Sequence, residues 1–369
     1  MRALQGFRDP ELASSISKRI WDKALKPIKI MEVCGTHTMS IARFGIRDLL
    51  PPSLTLISGP GCPVCVTSQG DIEAYIEIGS SSDNTVLVTF GDMMRVPVRG
   101  TSLQKERAKG KDIRVVYSPM EALEMAEREP EKRFVFMGIG FETTAPAVAF
   151  SIMEAKRRGI GNYMVYSSHK LVPPALLAIL SSPDLSIDGF ILPGHVSTII
   201  GSDPYGFIPE RYGRAAVISG FEPVDILMSI EMILDQINSG DRKVEIQYRR
   251  VVRPGGNRKA REIMYEVFEV GDASWRGFGV IPRSGLFIKE SYSDFDASKA
   301  FALSRTEEPQ EPKGCSCGDV LRGLILPYEC KLFGKACKPE SPVGPCMVSS
   351  EGSCAAYYKY GVWQEGWRD

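Results

Sequence analysis

The chain has 369 residues with 45 basic and 45 acidic side chains, a balance that points to neither a nucleic-acid nor a membrane surface. Hydrophobic residues make up 43% and charged residues 24%, which excludes a disordered or fibrous class. Two or three domains with ample core are expected, and no apolar run reaches the roughly 18 residues of a membrane span. The stretch Met1 to Pro10 is charged and lacks the apolar centre of a signal peptide, so a cytoplasmic location is expected. Nine cysteines then fit metal or redox chemistry better than a disulfide framework, and only three histidines speak against a His-rich zinc enzyme.

In chain order, Leu12, Ile16, Ile20 and Trp21 recur at helical spacing and predict an amphipathic helix over 9–25. Ile28 to Val33 predicts a buried strand that stops at Cys34-Gly35-Thr36-His37-Thr38. A second strand, Leu54 to Ile57, ends in Gly59-Pro60-Gly61-Cys62-Pro63-Val64-Cys65, with a helix over 69–78 starting almost on that CxxC. Strands are predicted at 86–90, 113–117, 134–137, 163–166, 189–192 and 215–218, with helices at 119–129, up to Arg158, and at 224–238. This alternation predicts an α/β fold with mainly parallel sheets, in two consecutive lobes at 1–122 and 123–305. Residues 244–288 read as strand-rich with a helix near 259–268. The polar, Pro-containing run Thr306 to Gly314 reads as a linker to a Cys-rich domain at 306–369.

That last domain carries Cys315, Cys317, Cys330, Cys337, Cys346 and Cys354. The density suggests an iron–sulfur cluster or zinc; paired CxxC motifs, usual for structural zinc, do not occur there, which favours a [4Fe–4S] cluster. Cys315 and Cys317 are two apart and point to opposite faces of an extended chain. Cys315, Cys330, Cys337 and Cys354 are taken as ligands, with Cys317 and Cys346 as a redox pair; the swapped assignment stays open. Cys62 and Cys65 at a helix start are expected to have lowered thiol pKa values and to cycle between dithiol and disulfide, or to bind a soft metal. His37 is placed to hold Cys34 as a thiolate, against the plainer reading of a buried thiol and a satisfied histidine. His37, His169 and His195 all follow predicted strands, which argues for one crevice along a shared sheet edge. Gly138-Ile139-Gly140-Phe141-Glu142-Thr143 resembles a dinucleotide fingerprint but has Thr143 where the third glycine belongs. Glu142 is the better candidate, as a crevice carboxylate or simply a helix-start acid. No P-loop or catalytic triad pattern occurs.

Together, Cys34-Gly-Thr-His-Thr38, Gly59-Pro-Gly-Cys62-Pro-Val-Cys65, Gly140-Phe-Glu-Thr-Thr144, Pro193-Gly-His-Val-Ser197 and the cysteine pattern from Cys315 to Cys354 resemble the motifs of the HypD family of hydrogenase maturation factors. The likeness runs in order over nearly the full length. It implies a scaffold on which the Fe(CN)2CO part of the [NiFe]-hydrogenase centre is assembled. It further implies pairing with the small chaperone HypC, iron held between a HypC cysteine and Cys34, and cyanide delivered by HypE from HypF. Cys62 and Cys65 would supply electrons or further iron ligands. The family fold implies two Rossmann-like domains and a cluster domain resembling ferredoxin–thioredoxin reductase. A different class remains in view, an iron–sulfur-dependent protein-disulfide reductase, which would need the CxxC and cluster but neither Cys34 nor His37. A nucleotide-dependent ligase would rest on the glycine turn alone.

Overall fold

The computed structural model describes residues 6–183, 186–303 and 312–361. Its strands are β1 (Ile28–Glu32), β2 (Leu54–Ser58), β3 (Thr85–Thr89), β4 (Ile113–Val115), β5 (Arg133–Gly140), β6 (Tyr163–His169), β7 (Gly189–Pro193), β8 (Ala215–Ser219), β9 (Val244–Ile246), β10 (Phe268–Trp275) and β11 (Gly279–Ile288). A five-stranded parallel sheet has the order β2-β1-β7-β8-β9, and a four-stranded parallel sheet has the order β4-β3-β5-β6. β10 and β11 form an antiparallel hairpin with a register shift between Gly271 and Ala273. The expected α/β class with mainly parallel sheets is present.

Strand pairing does not follow a boundary at residue 122. β3 and β4 precede it yet pair with β5 and β6, while β7, β8 and β9 follow it and complete the sheet begun by β1 and β2. The four-stranded sheet is thus inserted in sequence between two parts of the five-stranded one. Each sheet reverses its winding once, between β1 and β7 and between β3 and β5. At such a reversal the loops leaving the carboxyl ends of the strands part and open a crevice.

The first helix, Pro10–Lys23, is capped by Asp9, whose Oδ1 accepts from Glu11 N at 2.9 Å and Leu12 N at 3.1 Å. Ile16 and Ile20 are buried, but Leu12 and Trp21 are exposed, so the buried stripe is narrower than expected. One apolar core collects Met31 and Phe190 from the first sheet, Leu87 and Val135 from the second, and Cys65, Cys317, Cys346 and Cys354. The Cys-rich segment is therefore part of the central core. It holds two short helices, Cys317–Arg322 and Ser353–Tyr360. Of the expected linker, residues 306–311 lie outside the described residues.

Candidate functional site

β1 ends at Glu32, and the helix Gly35–Arg43 starts two residues after its neighbour Val33, with Cys34 as its N-cap in extended conformation (φ −158°). A loop was expected here; the chain turns directly into a helix. Glu32, fully buried, orders that turn: its Oε2 accepts from Cys34 N at 3.1 Å and its Oε1 accepts from the Thr38 hydroxyl. Gly61, ahead of the CxxC, lies flat on the Cys34 backbone; a Cβ there would sit 2.2 Å from Cys34 N. The Gly35 amide donates to Gly61 O at 2.9 Å. The two cysteine-bearing loops are thus locked together at the crevice beside β1.

Burial pushes the Cys34 thiol up to about 12, helped by the negative charge of Glu351 and opposed by the backbone N–H groups of His37 and Thr36. The His37 ring is tied to the backbone just after β8. Its Nε2 meets Gly220 O at 2.9 Å, and burial lowers it to about 4, so the imidazole is neutral at pH 7. With Nε2 donating, Nδ1 is an acceptor with no protein partner. His37 stacks on Phe221 at 4.7 Å, and the exposed His195 stacks on the same ring at 3.9 Å. Two of the three histidines therefore share the β1/β7/β8 edge. His169 ends β6 in the other sheet, bonded through Nδ1 to Ser167 Oγ at 3.1 Å and packed near Phe268.

Glu142 follows β5 at the second winding reversal and is 1% exposed. Its Oε1 accepts from Val172 N at 3.0 Å and its Oε2 has no protein partner. Burial raises it to about 8, against the pull of its own N–H and that of Val172, so it is a neutral acid at pH 7. The buried Tyr205 lies within electrostatic range of both Glu142 and Cys34, and so stands between the two crevices.

Cys62 caps the one-turn helix Pro63–Val66, and the Cys62 and Cys65 sulfurs stand 2.7 Å apart. The expected lowering by a helix start is overcome at Cys65, where burial pushes the thiol up. Cys65 faces the Cys-rich segment: its Sγ lies 3.9 Å from Pro345 O and hydrogen-bonds Cys346. Cys346 and Cys317 sulfurs are 2.8 Å apart, and Cys317 in turn hydrogen-bonds Cys315. All six cysteines of the segment line one cavity, walled also by Leu332, Phe333 and Met347. Among the described residues no three Cys, His, Asp or Glu side chains form a ready-made single-ion site.

The segment grips both sheet edges. Glu351 Oε1 accepts from Thr36 Oγ1 at 2.7 Å, and its Cβ occupies the space that a side chain at Gly35 would need. Ser349 Oγ donates to Asp92 Oδ2 at 2.9 Å, and Arg95, just after β3, donates to Val348 O at 3.2 Å. Sequence reasoning missed Glu32, Glu351, Tyr205 and Phe221. Glu32 carried a signal, a carboxylate inside an otherwise apolar strand; the other three carried none.

A family model described as "HypD: Hydrogenase formation hypA family" matches residues 11–361. The hydrogenase expression/formation protein HupD of Azotobacter chroococcum mcd 1 is 47% identical over 98% of this chain and 97% of its own length. The hydrogenase maturation factor HypD of Azotobacter vinelandii is 46% identical over 98% and 97%, and that of Escherichia coli (strain K12) 43% over 98% and 98%. No helix among the described residues is long and apolar enough to cross a membrane. The motif order, the sulfur-lined crevice between two parallel sheets and these full-length identities agree: the chain belongs to the HypD family of hydrogenase maturation factors.

Proposed function

We propose that this chain is a cytoplasmic scaffold on which iron receives its cyanide and CO ligands for [NiFe]-hydrogenase, with Cys34 as the protein's iron ligand. The observation that carries the reading is that Cys34 lies backbone to backbone on the CxxC loop, from which a line of sulfur runs through Cys62, Cys65, Cys346 and Cys317 to the six-cysteine cavity. Low-spin iron with cyanide and CO is a soft centre that prefers thiolate. A thiolate donor must first lose its proton, so iron capture and deprotonation of Cys34 are coupled. The neutral Glu142 and the acceptor Nδ1 of His37 are the buried polar groups nearest in character to a ligand-handling role. HypC, carrying a second iron-binding cysteine, and HypE, delivering cyanide, are the expected partners.

The cavity fits a [4Fe–4S] cluster, because its walls are apolar and six thiols line it, more than the four a cubane needs. Cys315, Cys330, Cys337 and Cys354 would hold the cluster, in a domain resembling ferredoxin–thioredoxin reductase. Bound there, it supplies single electrons. Cys317 and Cys346 then serve as a dithiol that can exchange with Cys62 and Cys65. The competing disulfide-reductase reading meets an obstacle: Cys62 and Cys65 are 4% and 0% exposed, out of reach of a protein disulfide.

Infrared spectroscopy of the chain copurified with HypC tests the scaffold. Cyanide and CO stretches that vanish in Cys34→Ser are expected; stretches retained in that variant would make Cys62 or Cys65 the anchor.

A further inference from the structure

Exchange between the two dithiols requires Cys346 to approach Cys65 in line, although the two lie far apart in sequence. The turn of the β10–β11 hairpin stands against the residues that follow Cys65 and the residue that follows Cys317, the pair partner of Cys346. Trp275 bridges to Thr67, Arg276 N donates to Val66 O at 3.0 Å, and Arg276 Nε donates to Thr67 O at 3.1 Å. Val66 and Thr67 close the one-turn helix that carries Cys65. One residue further on, Gly277 (φ +79°) packs on Gly318, whose Cα lies 2.4 Å from where a Cβ on Gly277 would be. Gly318 directly follows Cys317. Trp275 and Arg276 are 0% and 1% exposed, so this is a buried wedge. A guanidinium is unfavourable to bury unless its N–H groups are satisfied, and this one is directed at the CxxC turn.

We propose that the Trp275–Gly277 turn is a positioning element for dithiol exchange, holding the CxxC turn on one side and the Cys317 helix on the other. The proposal rests on the exchange reading given above. In the step it serves, the Cys346 thiolate attacks Cys65 Sγ of a Cys62–Cys65 disulfide. The Cys65–Cys346 bond forms, the Cys62–Cys65 bond breaks, and Cys62 leaves as a thiolate that takes up a proton. The Cys317 thiolate then attacks Cys346 Sγ and releases Cys65. The CxxC gains two electrons and the Cys317/Cys346 pair loses two, so no other reductant enters the exchange.

The test uses the full chain with Cys62→Ser and Cys317→Ser, which removes both resolving thiols and leaves the mixed disulfide as the end point. Under oxidised glutathione, mass spectrometry should find Cys65 linked to Cys346. Adding Gly318→Ala, whose Cβ would press on Gly277 Cα at 2.8 Å, should slow that linkage about tenfold or more, as misplacement of reacting atoms does. Adding Arg276→Gln should do the same without altering the glycine contact. Melting temperatures within a degree or two of the parent would show that the fold is kept; if Gly318→Ala does not fold, Arg276→Gln decides. Equal linkage rates in folded variants overturn the positioning role. Failure of the parent pair to link at all overturns the exchange reading itself.

Discussion

Glu142 and Cys34 are both neutral at pH 7 because burial disfavours their charged forms, and each leaves a mark on stability against pH. Glu142 has its folded pKa raised from 4.5 to about 8. Its contribution is complete below pH 4.5 and is lost as pH rises through 8. Glu142→Gln should therefore gain on the native chain over that interval, by on the order of 3 kcal/mol at pH 8 or above. Denaturant unfolding at pH 5 and pH 8.5 reads this directly, and parallel curves would count against a neutral buried Glu142. His37 and His169 run the other way, lowered from 6.5 to about 4 and about 3. Their contribution is present above pH 6.5 and fades as pH falls toward 4 and 3, so acid should destabilise the chain in that window. For Cys34→Ser, a nearly isosteric change at a helix N-cap, the expected cost in stability is small, within about 1 kcal/mol. Iron content measured after anaerobic loading should drop while the absorbance of the proposed cluster in the Cys-rich segment persists. The gathering of six cysteines around one cavity was legible in their density along the chain. The direction of the His37 ring was not, since its partner Gly220 is 183 residues away and carries no side chain.

The parallel strands were read from apolar runs, and the helix expected over 69–78 is present at Gln69–Ile78, where Ser68 caps it and Asp71 stands in its first turn. The helix Gly35–Arg43 was missed because Gly, Thr and His at its start are weak helix formers. Its N-terminus is fixed instead by Glu32 from the preceding strand and by Glu351 from the far end of the chain. Gly35 permits that last contact. In Gly35→Ala the new methyl would lie 2.5 Å from Glu351 Cβ, so the Cys-rich segment must shift. A loss of about 1–3 kcal/mol is expected from such overpacking. Hydrogen exchange should quicken across 345–361 and remain slow in β1; uniform exchange rates would show that the contact is not tight.

At the level of the whole chain, the interleaving of the two sheets was hidden because buried parallel strands read alike, and nothing local names their partners. The docking of the Cys-rich segment was hidden for the same reason. Among its described residues that segment has little regular structure of its own, two α-helices of six and eight residues plus two single 3-10 turns. Chelation of its proposed cluster should therefore unfold 312–361 first, seen as fast exchange there while the parallel sheets stay protected. Exchange that rises evenly over the chain would argue that the segment is held by packing alone. The same interleaving sets a timetable for synthesis. The four-stranded sheet is complete once β6 has left the ribosome, whereas β1 waits for β7 before its neighbour on that side exists. The loop bearing Cys34 emerges early and is enclosed late, since Glu351 is among the last contacts made. A nascent chain thus carries its first three thiols uncovered until almost all of it has been translated, and metal offered too soon would meet a site with no walls.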